Sequence, residues 1–592
     1  MNYQQNSRWF QIYGRDFAFA VRKSASPKPH RKLARTTTVV HEIPVEVRKI
    51  NQQNRVHKGL QDLMAEFCAH SSIHGIGYMG SRQRSAFEKF FWLFVFLLSM
   101  FGCGKLIDNS LRKWNENPVI ITFDEVPTAV WNIPFPAVTI CPEAKIKKFN
   151  LNFTDAFMKL THWNRSKDLN DVEMDNLLTN LQLCDEYFHT SYYNRYYINH
   201  TLKGHLVDTL KNISFMSNDT IYYCRLNSLV CKKMFSNTIT EEGICMTFNG
   251  LSNEEMFRQQ NLHSDYEYLE EKRQSTSWNL ENGYSAEADL DSYPIRVFGA
   301  GFGAGLYVHL MTVNKDLEYH CRDGQGFKVL LHAPSEYPQV SKKFVRVTLG
   351  RDIAIAIKPQ ILNTDNELHD YEPERRQCYF NRERQLKFFQ VYTQANCELE
   401  CSTNYTLKEC GCVRYSMPRS ADTRVCETSE LMCTLNAQIN LLELNAEHHL
   451  KHGDSMQDGC NCLPACYAIQ YDAEITQTIF NFKETLRLRL GPKGIPYEDT
   501  ITQKQISKLE IYFKDIQFIT SKRTELYGLT DFVANCGGIL GLCMGVSLLS
   551  LVELLYYCTL RPLMLFRQTL QNGFYVVDVN GRRDGLQGHN SK

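Results

Sequence analysis

The chain has 592 residues, with 66 Lys and Arg against 65 Asp and Glu, and 21 cysteines. The near-neutral balance excludes a globally basic nucleic-acid binder, and the modest Gly and Pro content excludes a collagen-like or low-complexity chain. So many cysteines exclude a reducing cytosol for the part that carries them, unless they bind metal.

The charge is uneven along the chain. Residues 1–89 hold 15 basic and 6 acidic side chains, residues 561–592 hold 5 and 2, and the middle holds 46 and 57. After a polar region at 1–85, an uncharged run extends from Phe90 to Gly104. Fifteen helical residues rise about 22 Å, so the predicted span is widened to 86–107, with Lys89 and Lys105 at the interfaces. The run begins too far along the chain for a cleavable signal peptide and reads as an uncleaved anchor. Between residues 108 and 529 come β-like stretches at 118–123, 135–140, 327–332 and 344–357, and a short amphipathic helix at 439–450. Acidic clusters at Glu241–Glu242 and at 265–271 read as solvated faces, or as groups that concentrate cations, protons or calcium. The second apolar run, Phe532 to Leu560, lies in a predicted span at 530–560 and contains one acid, Glu553. Gly537, Gly541 and Gly545 recur every four residues in it, a spacing that lets helices approach closely in lipid.

Six N-x-S/T sequons, at Asn152, Asn164, Asn199, Asn212, Asn218 and Asn404, all lie between the spans, as do sixteen cysteines from Cys141 to Cys466. The even number suits a fully oxidised extracellular domain. The other five, Cys68, Cys103, Cys536, Cys543 and Cys558, fall in or beside the membrane or cytosol. The expectation is an α+β membrane protein of the plasma membrane: two transmembrane helices flank a large disulfide-rich α+β ectodomain, and both termini, including the 561–592 tail, are cytosolic. The close cysteine spacings at 397–412 and 460–466 also occur in zinc sites, but an oxidising exterior favours disulfides, whose connectivity spacing alone does not fix.

An ordered set of motifs then becomes specific. His74-Gly75 precedes the first span, and FPAVTICP (135–142) comes after it. GICMTFN (243–249), GFKVLLHAP (326–334) and a long Cys-rich run at 374–401 come next. Gly545-Val546-Ser547, Ser550 and Glu553 close the series. Together they resemble the degenerin/epithelial sodium channel family, most like its insect pickpocket branch. The resemblance covers about residues 70 to 562.

That resemblance implies a function and assigns residues to it. The chain would be one subunit of a homo- or hetero-trimeric, amiloride-sensitive channel that passes sodium ions across a lipid bilayer, with no cofactor, metal centre or nucleic-acid partner. Gly545, Val546 and Ser547 would form the selectivity filter, with Val546 bulkier than the common Ala or Ser. Ala534 and Asn535 would mark the outer gate, Ser550 and Glu553 would belong to the pore helix, and His74 and Gly75 would act in gating. The implied disulfides are Cys141–Cys245, Cys224–Cys231, Cys378–Cys466, Cys397–Cys462, Cys401–Cys460, Cys410–Cys433 and Cys412–Cys426. Cys184 and Cys321 fall outside the pattern and are left for each other. Glu553 also carries an independent argument: a carboxylate inside a span costs a few kcal/mol unless it faces a bundle interior or water, or snorkels to the interface. An ATP-gated-type receptor channel, a cell-surface receptor without a pore and a tethered ectoenzyme are the alternatives. The ectoenzyme would need a catalytic motif, and the chain contains no HExxH sequence and no Walker loop.

Overall fold

The computed structural model describes residues 59–572, apart from 60, 82–83, 117–118, 163–167, 186–187, 190–199, 267–277, 290, 453–459 and 492–502. The sequons at Asn164 and Asn199, and most of the acidic cluster at 265–271, lie outside the described residues. The chain divides into two compact units, one drawn from its ends (Met1–Cys103 with Leu540–Lys592) and one from its middle (Gly104–Ile539).

The first apolar run forms a helix over Ala86–Glu116, of which only Cys103 is buried. An apolar helix exposed nearly all round is what lipid or other membrane helices cover. It runs nine residues past the predicted end of the span, because the polar segment after Ile107 keeps good helix formers and an Arg112–Asp108 ion pair at 3.1 Å. The second run is two helices, Leu529–Met544 and Leu548–Leu555, separated at Gly545–Ser547. A π-helical turn at Tyr556–Leu560 leads into a further helix, Arg561–Asn572. Among the described residues two stretches, Ala86–Glu116 and Leu548–Leu565, are long and apolar enough to cross a membrane.

The middle unit is built on two sheets. The larger has eight strands, in the order Val119–Phe123, Ser521–Glu525, Arg351–Thr364, Lys504–Phe513, Leu306–Val313, Ile221–Leu226 and Leu229–Val230, with Ala468–Ile479 also paired to Arg351–Thr364. The smaller runs Val345–Val347, Phe327–His332, Ala137–Pro142, Gly243–Phe248 and Phe235–Thr240. Period-2 alternation gives each its buried face: Ile353, Ile355 and Ile357 meet Val308, Leu310, Leu509 and Ile511, and pack in one core with Val138, Ile140, Phe327 and Val329. A second core gathers helices Phe153–Thr161 and Asp171–Leu181. The latter starts at a capping box in which Asn170 and Glu173 satisfy each other's backbone N–H groups.

Two long helices, Gln394–Cys410 and Leu431–His452, stand beside the sheets. Bridges join Cys378–Cys466, Cys397–Cys462, Cys401–Cys460, Cys410–Cys433 and Cys412–Cys426 in this region. Elsewhere Cys141 is joined to Cys245, Cys184 to Cys321, and Cys224 to Cys231. Cys68, Cys103, Cys536, Cys543 and Cys558 take part in none of these disulfides. The four described sequon asparagines, Asn152, Asn212, Asn218 and Asn404, are all exposed. At the end of the first-span helix, the Arg375 guanidinium lies 4.7 Å over Trp114, which also stacks on Phe532 at 5.3 Å.

The acidic clusters are not solvated faces where they are described. Glu242 is buried among Lys145, Arg322 and Lys328 at 2.7–2.9 Å. Those cations hold its carboxyl well below the usual range despite the opposing effect of burial. Lys145, buried beside it, is lowered to about 8, chiefly by desolvation. Asp265 is likewise buried against Arg419. Runs of acids read as solvated because sequence shows their spacing and not the distant cations that pair them.

Candidate functional site in the interrupted second span

The interruption arises from one glycine. Gly545 adopts a φ of 68°, in the left-handed region that glycine enters without strain. Its N–H still donates to the Gly541 carbonyl at 2.9 Å, whereas Val546 reaches back to Leu540 and the regular ladder stops. Ser547 is extended (φ −117°, ψ 172°) and restarts the helix as its cap, accepting from the Ser550 N–H at 3.3 Å. Backbone that leaves its helical bonds at membrane depth is tolerated only when it is buried in protein or lines water.

The segment before the first span fills this break. Residues 61–70 are helical, and the chain then turns at Ser71–Gly75, where Gly75 has φ 92°. The His74 N–H donates to the Met544 carbonyl at 2.8 Å. The His74 ring lies against Gly545, so that a Cβ built on the glycine would come within 2.8 Å of it. Ser99 of the first-span helix donates to the Cys543 carbonyl at 2.7 Å. Two of the carbonyls that the break exposes are thus satisfied from elsewhere in the chain.

Below the break runs a chain of hydroxyls with a fixed direction. The Ser72 hydroxyl donates to Glu553 Oε2 at 3.0 Å, and the Ser72 N–H adds a second bond at 3.2 Å. Having spent its single proton there, Ser72 Oγ accepts from Ser550, 2.6 Å away. Ser550, only 2% exposed, then accepts from the Ser547 hydroxyl at 3.2 Å. Glu553 is therefore tied to its own chain rather than left bare. Further down, Arg561 pairs with Glu66 at 2.8 Å, and Phe67 packs edge-on to Tyr557 at 5.4 Å.

The structure thus brings His74 to Gly545 and links Ser547, Ser550 and Glu553. Val546 is half-buried beside them, while Ala534 and Asn535 lie exposed on the Leu529–Met544 helix. Ser72, Glu66, Ser99 and Arg561 were not singled out from sequence. Of these only Ser72 carried a signal, a hydroxyl two residues before the His-Gly pair. Among the described residues one group has metal-like spacing, Cys412, Cys426 and Glu430. Its sulfurs form a disulfide and its carboxylate is paired with Arg424 at 2.6–2.7 Å, so the donor set does not fit a metal ion.

Comparison with known proteins finds relatives along most of the chain. Pickpocket protein 28 of Drosophila melanogaster is 30% identical over 516 residues, covering 84% of this chain and 78% of that protein. The sodium channel protein Nach of the same fly is 23% identical, covering 84% and 87%. The human bile acid-sensitive ion channel is also 23% identical, covering 83% and 85%. The family model for the amiloride-sensitive sodium channel matches residues 67–557, and the chain belongs to that family.

Proposed function

We propose that the chain is a subunit of a trimeric, sodium-selective cation channel of the plasma membrane, blocked by amiloride-type compounds and opened by an extracellular stimulus. The observation that carries this reading is the interruption at Gly545–Ser547. It sets non-helical backbone, a serine hydroxyl and a carboxylate within one apolar run. The hydroxyl relay points the Ser547 proton toward Ser550, and beside the Ser550 N–H bond its oxygen keeps one lone pair to face a cation. Three such segments around an axis would replace part of a sodium ion's water shell with carbonyl and hydroxyl oxygens. The apolar exposure of both spans supports burial against other copies or related subunits.

In this reading residues 1–85 and 561–592 are cytosolic, 86–107 and 530–560 cross the bilayer, and 108–529 lie outside. The exposed sequons and the eight disulfides, all between the spans, support that orientation. Gly545, Val546 and Ser547 select, Ala534 and Asn535 gate, and the His74-Gly75 turn couples the cytosolic segment to the filter. Two-electrode voltage clamp of the expressed chain, alone and with related subunits, tests the reading. An inward current that vanishes on sodium replacement and on adding amiloride is expected. A surface-expressed chain that conducts in neither setting refutes it.

A further inference from the structure

One cavity of the middle unit is lined by residues between Leu251 and Tyr467, none of them in the interrupted second span. Its volume is about 310 Å³, at the lower end of the roughly 300–1,000 Å³ typical of small-molecule sites. One wall is a hairpin in which Trp278 and Asn279 pair with Tyr284 and Gly283. Gly283 has φ 68°, and the Asn282 N–H closes the turn on Asn279 Oδ1 at 2.6 Å. The hairpin is anchored by the Tyr284 hydroxyl on the Pro294 carbonyl and by Arg296, 4.1 Å over the Tyr284 ring. It presents Glu281 to the cavity on a short, braced turn.

The facing wall is fixed by the Cys378–Cys466 disulfide. Tyr379 exchanges backbone bonds with Pro464 and Cys466 at 3.0 and 2.9 Å, and packs edge-on to Tyr392 at 5.4 Å. The Tyr392 hydroxyl is held by the Leu463 carbonyl at 2.6 Å. Trp278, Tyr379, Tyr392 and Tyr467 thus line the space as an aromatic wall with little freedom. Pre-organisation of this kind lowers the cost of binding.

Charges of both signs line this space: Glu255, whose carboxylate accepts from the Ser252 N–H and hydroxyl at 3.3 and 3.0 Å, Glu281 and Arg382. Glu281 accepts at Oε1 from the Asn381 N–H at 2.8 Å, and among the described residues its Oε2 has no partner. Arg382, the residue after Asn381, lines the same cavity and forms no ion pair with the described residues. Burial, and then the charge of Glu281, push the Tyr467 phenol up, so the carboxylate's field reaches the aromatic wall. Opposite charges held apart over aromatic faces complement a ligand that carries both signs. The ring faces also attract an ammonium group.

We infer that this cavity binds a small zwitterion with an apolar or aromatic body, its ammonium group held by Glu281 and the aromatic wall and its carboxylate by Arg382. A free amino acid and a dipeptide share this chemistry. The binding stands on the cavity alone, whereas any effect of occupancy on current rests on the channel reading.

The test is calorimetry on the purified full-length chain in detergent. The probes are the amino acids from glycine to tryptophan, aromatic dipeptides, and two single-charge analogues, phenethylamine and 3-phenylpropionate. Saturable binding of an aromatic amino acid or dipeptide is expected, with both analogues weaker by about tenfold or more. Whichever of the two binds identifies the source. Glu281→Gln, which keeps an acceptor for the Asn381 N–H, and Arg382→Gln should each lower affinity about tenfold with unchanged melting temperature. The inference is overturned if no zwitterion saturates below about 10 mM, if the analogues bind as well, or if either substitution leaves affinity unchanged. Binding by a chain that passes no sodium current leaves this site standing and refutes the channel, and current without zwitterion binding does the reverse.

Discussion

Gly545→Ala tests the turn that interrupts the second span, and its cost has two separable parts. The first is conformational: an L-residue at φ 68° costs about 1–2 kcal/mol relative to glycine. The second is steric. The new Cβ would lie 2.8 Å from three atoms of the His74 ring, well inside the contact distance of roughly 3.5–4.0 Å. The His74 N–H holds its backbone to the Met544 carbonyl at 2.8 Å, so relief has to come from rotation of the ring about its own side-chain torsions. Overpacking of this kind costs about 1–3 kcal/mol, so the single variant should lose about 2–5 kcal/mol in all. His74→Ala in the same chain should recover the steric share and leave the conformational one. Thermal unfolding of the full-length chain in detergent measures this cycle, and bi-ionic sodium/potassium reversal potentials report the filter in parallel. A coupling below about 0.5 kcal/mol would mean that the two residues do not touch. A wild-type melting temperature for Gly545→Ala would remove the left-handed turn itself.

Ser72→Ala removes a hydroxyl bond to a carboxylate, a contact of about 1.5–3 kcal/mol, and should change single-channel open probability. Ser72→Thr keeps the hydroxyl and should not, and identical behaviour of the two variants would dismiss the tie to Glu553. Ala534→Val should give a standing, amiloride-blockable sodium current without stimulus, since a closed state weakened by about 1.4 kcal/mol shifts tenfold toward open. A surface-expressed variant that stays silent, alone and with a partner subunit, takes Ala534 away from the gate. His332 is buried between the Ala333 carbonyl, to which Nδ1 donates, and the Thr139 hydroxyl, which Nε2 accepts, and desolvation lowers it to about 4. The folded chain therefore binds fewer protons than the unfolded chain between pH 6.5 and 4, and stability falls on acidification through that window by about 3 kcal/mol from this group. His332→Gln should flatten that part of the melting profile, and an unchanged slope would show that His332 does not titrate there.

The spans and the alternating strands were legible because hydropathy and period-2 burial are local properties. Extents were less so. The Arg351–Thr364 strand continues through Pro359, a residue that argues against a central strand. The register explains it: one neighbour, Lys504–Phe513, ends opposite Ile357, and the next, Ser521–Glu525, begins at Leu362, so Pro359 falls in a gap along that edge. The amphipathic pattern at 439–450 marked only part of the 22-residue helix Leu431–His452, whose first turns are held by Cys433 and Ala437 instead of by an apolar stripe. In the second span the Gly-Val-Ser break was visible only by resemblance, since nothing in an apolar run announces a positive φ. The bond from Ser72 to Glu553 links positions 481 residues apart, and no local pattern encodes it.

The ladder between Val119–Phe123 and Ser521–Glu525 joins residues such as Thr122 and Lys522, 400 positions apart. Translation at about 5–20 residues per second separates them by roughly 20–80 s. Throughout that interval the first strand to emerge has no mate, and it displays Ile121 and Phe123, which stay largely exposed even in the finished chain. An unpaired apolar edge is an invitation to aggregate. Any product that stops short of Ser521 keeps that edge open for good, however well its disulfides have formed. The last strand before the second span therefore acts as a progress mark, and a cell that monitors the Val119–Phe123 edge can tell a chain that has passed Glu525 from every one that stops short of Ser521.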